Sequence, residues 1–70
     1  MEAAIGDAAG QIWAYLQAHG AQSERHLRRG TRLSERLLYM GIGWLAREGK
    51  LAFVQDGRVL KLQLHAAPDA

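Results

Sequence analysis

Cysteine is absent from the chain of 70 residues, and so is any apolar run of the roughly 18 residues that a membrane-spanning helix needs. The lack of cysteine excludes a disulfide framework and a thiolate zinc site. The first ten residues also lack the basic head of a secretion signal. We therefore expect a soluble, cytoplasmic protein without a membrane partner. Its length predicts one small domain that buries about 60% of its unfolded surface.

Lysine and arginine are missing from residues 1–24, which contain three acidic residues. All nine basic residues lie between Arg25 and Lys61, where they oppose three acidic residues, so this segment carries +6 while the whole chain carries +2. Such a separation of charge is typical of an anion-binding surface. A solvated, arginine-rich surface without a ligand is the other interpretation.

Groups that could carry catalysis or hold a metal are scattered along the chain. His19, His26 and His65 fall on three different predicted elements, without the i, i+4 spacing of a helical metal pair. Gly41–Gly43 lies inside a predicted helix and lacks the third glycine of a phosphate-binding loop. The glutamates are too far apart to be argued as an acid–base pair. We predict no enzyme, no metal, no cofactor and no small-molecule substrate.

Three helices are predicted. The first begins at Asp7, a candidate N-cap, and ends at Gly20; a brief edge strand can follow at residues 21–22. The second is short, runs from its cap at Ser23 to Gly30, and has one large apolar residue. Ser34 then caps a third helix that runs to about residue 48. Two helices joined by a turn of three or four residues form a helix-turn-helix unit.

The last segment, "KLAFVQDGRVLKLQL", alternates apolar and polar residues around Asp56-Gly57. This pattern predicts a β-hairpin, because a type I′ turn needs positive φ at both central positions. A two-residue loop at Asp56-Gly57 pairs Phe53 with Leu60 and places both on one face with Leu51 and Leu62. The order of elements predicts an α+β, mainly α, winged helix-turn-helix domain. It has three helices and a C-terminal β-hairpin wing in residues 1–64, and residues 65–70 form a flexible tail.

The third helix is more apolar than a surface helix needs. Its apolar residues cover an arc of roughly 200°, whereas a core-facing stripe needs little more than about 100°. Either the first helix and the hairpin cover this arc from two sides, or Leu38 and Ile42 lie at a subunit interface, with Val54 and Val59 on the outer face of the hairpin as a second contact patch. The two helical glycines indicate close approach of another backbone, from the first helix or from a second chain.

The basic residues fall on elements that would face DNA. In a winged helix-turn-helix bound to DNA, the third helix enters the major groove and the second crosses the backbone. Arg36, Tyr39 and Arg47 are then expected at the groove or its walls. The residues expected at phosphates are Arg28, Arg29, Arg32, Arg58 and Lys61. The third helix offers few groups that read base edges, and Glu35 would repel phosphate.

Two stretches, "IWAYLQAHG" and "HLRRGTRLSERLLYMGIGWLAREGKL", together with the hairpin, resemble small bacterial winged helix-turn-helix proteins of a domain family of unknown function. The resemblance covers about residues 9–64 and depends mostly on the run Gly43–Glu48 and the Ile12-Trp13 pair. It implies the winged-helix fold. Arg32 stands where such proteins more often place glycine in the turn.

Two functional hypotheses follow. The first is a DNA-binding winged helix with a regulatory or architectural role, with double-stranded DNA as its partner and a homodimer as one form. The second is a protein–protein interaction or homodimerisation module. Winged helices also serve as docking modules, so the fold alone does not distinguish DNA binding from protein binding.

Overall fold

The computed structural model describes residues 1–65 and contains three helices and three strands. In chain order these are α1 (Glu2–His19), β1 (Gln22–Ser23), α2 (Glu24–Thr31), α3 (Glu35–Arg47), β2 (Leu51–Asp56) and β3 (Val59–Leu64). The strands form one antiparallel sheet in the order β1-β3-β2. Helices α2 and α3 are the helix-turn-helix pair and the β2–β3 hairpin is the wing, as predicted. Residues 66–70, which make up most of the predicted tail, lie outside the described residues.

Helix α1 begins at Glu2, so the prediction of a start at Asp7 is wrong. The alanine-rich segment before Asp7 favours a helix. Its residue Ala4 lines a cleft with Ser34 and Leu37 at the start of α3, so the additional residues of α1 have a packing partner. The predicted end is confirmed, because Gly20 has a φ of 78° and donates its N–H to a carbonyl of the last turn.

Both predicted serine caps are confirmed. The Ser23 hydroxyl accepts a hydrogen bond from the N–H of His26 at 3.2 Å, and the Ser34 hydroxyl accepts one from the N–H of Leu37 at 3.2 Å. Each bond satisfies an N–H that has no partner within the first turn of its helix. The two caps therefore fix where α2 and α3 begin.

The end of α2 differs from the prediction. The helix continues through Gly30 to Thr31, and Arg32 closes it with φ 59° and ψ 21°, a left-handed conformation that glycine adopts more readily. Gly30 has another role, because a Cβ at this position would overlap the ring of Tyr15 on α1. The glycine at position 30 therefore lets α2 approach α1.

The wing forms with a different register from the predicted one. Gly57 and Arg58 occupy its turn, Asp56 pairs with Val59 in the last strand position, and Phe53 pairs with Leu62 instead of with Leu60. Two interactions favour this register. The Asp56 carboxylate lies 3.1 Å from the Lys61 ammonium on the same face of the hairpin, and the side-chain amide of Gln55 donates to the Gly57 carbonyl at 3.0 Å.

The predicted assignment of side chains to the two faces of the hairpin is confirmed despite the different register, because a shift of two residues leaves every side chain on the same side of the sheet. Leu51 and Leu62 are buried, as expected. Phe53 and Leu60 share their face but are 52% and 49% exposed, since the wing extends beyond the helices that cover its base. The inner face of the wing is therefore only partly covered.

Leu38 and Ile42 belong to the core of the same chain. Both are buried in one cluster with residues of α1, α2 and the sheet, so this part of the arc of α3 is covered by its own chain, while Met40 and Trp44 stay 37% and 43% exposed. This was the intramolecular alternative, and it removes these two residues from the surface patch predicted for an interface. Val54 is half-buried and Val59 is exposed on the outer face of the wing.

The two glycines of α3 differ in their surroundings. A Cβ on Gly41 would lie 2.8 Å from the Ile12 Cδ1 atom and 3.1 Å from the Ala9 backbone nitrogen, so α1 is the close neighbour that the glycine permits. A Cβ on Gly43 would have no neighbour within 4 Å. Only the first glycine is explained by packing within the chain.

Candidate nucleic-acid interface

Most of the predicted phosphate contacts on the helix-turn-helix come together in one cleft of about 490 Å³ between α2 and α3. Its floor is apolar and its walls carry four arginines. The lining residues are Glu24, Arg25, Arg28, Arg29, Arg32, Leu33, Leu38 and Tyr39. The structure thus places Arg28, Arg29 and Arg32 beside Tyr39, as a surface that binds anions would require.

Two carboxylates offset part of this positive charge. An Arg28 guanidinium nitrogen lies 3.2 Å from a carboxylate oxygen of Glu35, and both side chains are exposed. A hydrogen bond to the Glu24 carboxylate raises the pKa of Tyr39, and the negative charges of Glu24 and Glu35 act in the same direction. The Tyr39 phenol therefore keeps its proton to a higher pH beside these carboxylates, which is the direction in which its pKa is raised.

Arg25 is a residue that the prediction omitted. It lines the cleft between α2 and α3, a second cleft that contains His26 and Lys61, and a third that contains Arg58 at the turn of the wing. The side chain therefore connects the arginines of α2 to the cations of the wing. A sequence signal for it existed, because Arg25 stands three and four residues before Arg28 and Arg29 and so shares their face of the helix.

We call this surface the basic ridge. Its members are Arg25, Arg28, Arg29, Arg32, Arg58 and Lys61. Arg28 and Lys61 each have a carboxylate partner, and both of these ion pairs are solvent-exposed and therefore weak. An incoming phosphate can displace such partners at small cost.

Of the three predicted contacts on α3, Tyr39 lies beside the basic ridge, whereas Arg36 and Arg47 lie apart from it. Arg36 lines a cleft with Met1 and Ala4 on the flank of α3 that faces the start of α1. Arg47 is the last residue of α3, and the spacing of 11 residues places it roughly 16 Å along the helix axis from Arg36. The structure does not bring these two arginines together.

A second surface, absent from the predicted sites, is a groove of about 290 Å³ between α1 and α3. Trp13 and Trp44 line it and are 38% and 43% exposed. Gly6 and Gly10 have no side chains on the α1 side of the groove, and the space above them is open, since a Cβ on either would have no neighbour within 4 Å. The two tryptophans line the same groove, and contiguous exposed apolar surface is a mark of interaction sites.

Within residues 1–65, no cluster of three or more His, Asp or Glu side chains could hold a metal ion. Over the same residues, no helix has the length and hydropathy needed to cross a membrane.

Comparison with known proteins agrees with this architecture. A search of curated proteins finds no match. Among solved structures, the solution NMR structure of protein BT2368 from Bacteroides thetaiotaomicron is similar, with a TM-score of 0.80 and 28% sequence identity over 91% of this chain and 79% of that chain. The family model described as "Winged helix-turn-helix domain (DUF2582)" matches residues 1–64. The chain therefore belongs to this family of winged helix-turn-helix domains.

Proposed function

We propose that the protein binds double-stranded DNA without catalysing a reaction, and that the basic ridge holds the phosphates. The observation that supports this most is the position of Arg25, which makes the cations of α2 continuous with those of the wing. In winged helix-turn-helix domains on DNA, the helix that precedes the recognition helix crosses the backbone. A regulatory or architectural role fits such a surface.

A salt titration tests this proposal. Each phosphate that is neutralised releases condensed counterions, so the logarithm of the binding constant falls by about 0.9 per contact for each tenfold rise in salt. With six cations on the ridge, two of them paired to carboxylates, we expect a slope of about −3 or steeper for a labelled 20-bp duplex. No binding at 50 mM salt would overturn the proposal.

The second candidate function is protein docking through the groove between α1 and α3, with a second copy of the chain as the partner. It is supported by the exposure of Trp13 and Trp44, because aromatic residues are enriched at the centres of protein interfaces. Sedimentation at micromolar concentration tests it. A dimer that Trp44→Ser converts to a monomer supports docking, and a strict monomer rules out the homodimer.

A further inference from the structure

The outward face of α3 carries few groups that can read a base sequence. Between Arg36 and Arg47, its exposed side chains are those of Tyr39, Met40, Trp44 and Ala46. Base edges in the major groove are usually recognised by Arg, Lys, Asn or Gln, which form paired hydrogen bonds with them. None of these types occurs on the face between the two terminal arginines.

Gly43 lies near the middle of this exposed face. It has no side chain, and no protein atom stands within 4 Å of where a Cβ would be, so neighbouring elements do not project over this position either. The centre of the helix that would enter the groove therefore offers neither a donor nor an acceptor from a side chain. An ordinary sequence-reading helix has its contacts near its N-terminal half.

Two of the three polar side chains in that half of α3 already interact with α2, and the third, Arg36, lies on the flank that faces the start of α1. Glu35 holds the Arg28 guanidinium at 3.2 Å, and Tyr39 lines the cleft with Glu24, whose carboxylate raises the pKa of the phenol. The Glu35 carboxylate also repels the phosphates that flank a groove. The side chains of Glu35 and Tyr39 at the start of α3 therefore interact with α2, which leaves them less available to bases.

We infer that the protein binds duplex DNA of any sequence. The basic ridge contacts the phosphates, and base contacts from α3 do not select the sequence. This inference rests on the proposed function and narrows it. Sequence-independent binding needs positive charge on a continuous surface, which the ridge supplies, and needs no complementary donors and acceptors in the groove.

Selection from a randomised duplex pool tests the inference directly. The full chain is immobilised, incubated with 20-bp duplexes of random sequence at 50 mM salt, and the retained DNA is sequenced after several rounds. We expect no base to be enriched by more than about twofold at any position. A sequence-reading protein would instead yield a motif, because each wrong base pair weakens specific binding about fivefold to a hundredfold.

A direct measurement with two unrelated duplexes of equal length and GC content complements the selection. Their affinities are expected to agree within about threefold, and the double variant Arg36→Gln/Arg47→Gln should weaken both by the same factor. An enriched motif, or a difference of tenfold or more between the duplexes, overturns the inference while the proposed function stands. Failure of both duplexes to bind at 50 mM salt overturns the proposed function itself.

Discussion

Helices α2 and α3 form one helix-turn-helix unit but differ in what they contribute. Helix α2 has a single buried side chain, Leu27, and carries three arginines along its solvent side. Helix α3 buries four residues and exposes a face with little charge between its two ends. In this domain the helix that usually inserts into DNA supplies much of the core, whereas the preceding helix carries three exposed arginines.

The difference has a structural cause. Helix α3 packs its buried residues against α1, Leu27 of α2 and the sheet, so its apolar side chains are needed for the core. Helix α2 buries one side chain in the core, has Gly30 against the Tyr15 ring of α1, and leaves most of its remaining surface to solvent. Arginines on α2 therefore stay in solvent. This matters because burying an unpaired charge in a core costs a large free energy.

The largest expected effect comes from the buried leucines of the two helices. Leu38→Ala on α3 and Leu27→Ala on α2 each remove a fully buried side chain, which typically costs about 2–5 kcal/mol. A domain of this size has a total stability of roughly 4–10 kcal/mol. We expect both variants to lower the urea midpoint strongly, with exposed Arg36→Ala as a control that leaves it nearly unchanged.

Leu27→Ala and Leu38→Ala should also differ in which parts of the domain lose protection from amide hydrogen exchange. Leu27 is the only buried residue of α2, so its loss should release amide protection in α2 before the rest of the domain opens. Loss of Leu38 should lower protection throughout the core. Equal loss of protection across all elements in Leu27→Ala would contradict the view that α2 is held by one residue.

A smaller effect is expected from the two glycines of α3, which form a matched pair. Alanine favours a helix over glycine by about 1 kcal/mol, so Gly43→Ala should raise the free energy of unfolding by up to that amount. Gly41→Ala gains the same helix propensity, but its methyl group would be too close to α1, and overpacking typically costs about 1–3 kcal/mol. We expect a net loss of about 1 kcal/mol in urea unfolding. A gain in Gly41→Ala would show that α1 can move away freely.

The ion pair between the two helices should matter less for stability. Exposed ion pairs contribute roughly 0.2–1 kcal/mol, so Glu35→Gln should change the free energy of unfolding by no more than that. The same variant frees Arg28 and removes a charge that repels phosphate, so its affinity for duplex DNA at 50 mM salt should rise severalfold. Lower affinity in Glu35→Gln would mean that the pair positions Arg28 for binding.

The smallest effect concerns the ionisation of Tyr39. Its pKa is raised from 10.0 by the hydrogen bond to Glu24, so the stability linked to this bond is present below pH 10 and is lost as the pH rises through the pKa of the folded state. Glu24→Gln should lower this pKa towards 10.0. Ultraviolet titration of tyrosinate in a Tyr15→Phe background measures the pKa of Tyr39. An unchanged pKa in Glu24→Gln would show that Glu24 does not interact with the phenol.

Local chemistry made much of the fold predictable. Ser23 and Ser34 mark their helices because a hydroxyl before an amphipathic segment is a strong cap, and the hairpin follows from alternation around Asp56-Gly57. The register of the wing depended on interactions across the strands, such as that between Asp56 and Lys61, which a turn motif does not encode. The start of α1 depended likewise on packing against α3.

The candidate site was predictable only in part. The charge asymmetry of the sequence pointed to the arginines of α2, which the structure gathers in one cleft, and their binding of phosphate stays a prediction. Arg25 was missed because its importance comes from the position of the wing, which brings Arg58 and Lys61 to its side. Exposure of Trp13 and Trp44 was missed because helical spacing alone placed both on apolar stripes.

One measurement tests most directly whether α2 and the wing, and not α3, hold DNA. Two double variants remove the same charge: Arg25→Gln/Arg58→Gln on the basic ridge and Arg36→Gln/Arg47→Gln on α3. In fluorescence anisotropy with one labelled duplex at 50 and 200 mM salt, the ridge variant should reduce the salt slope by nearly 2 and weaken binding at least tenfold. The α3 variant should weaken it no more than about threefold. The opposite ranking would contradict the account.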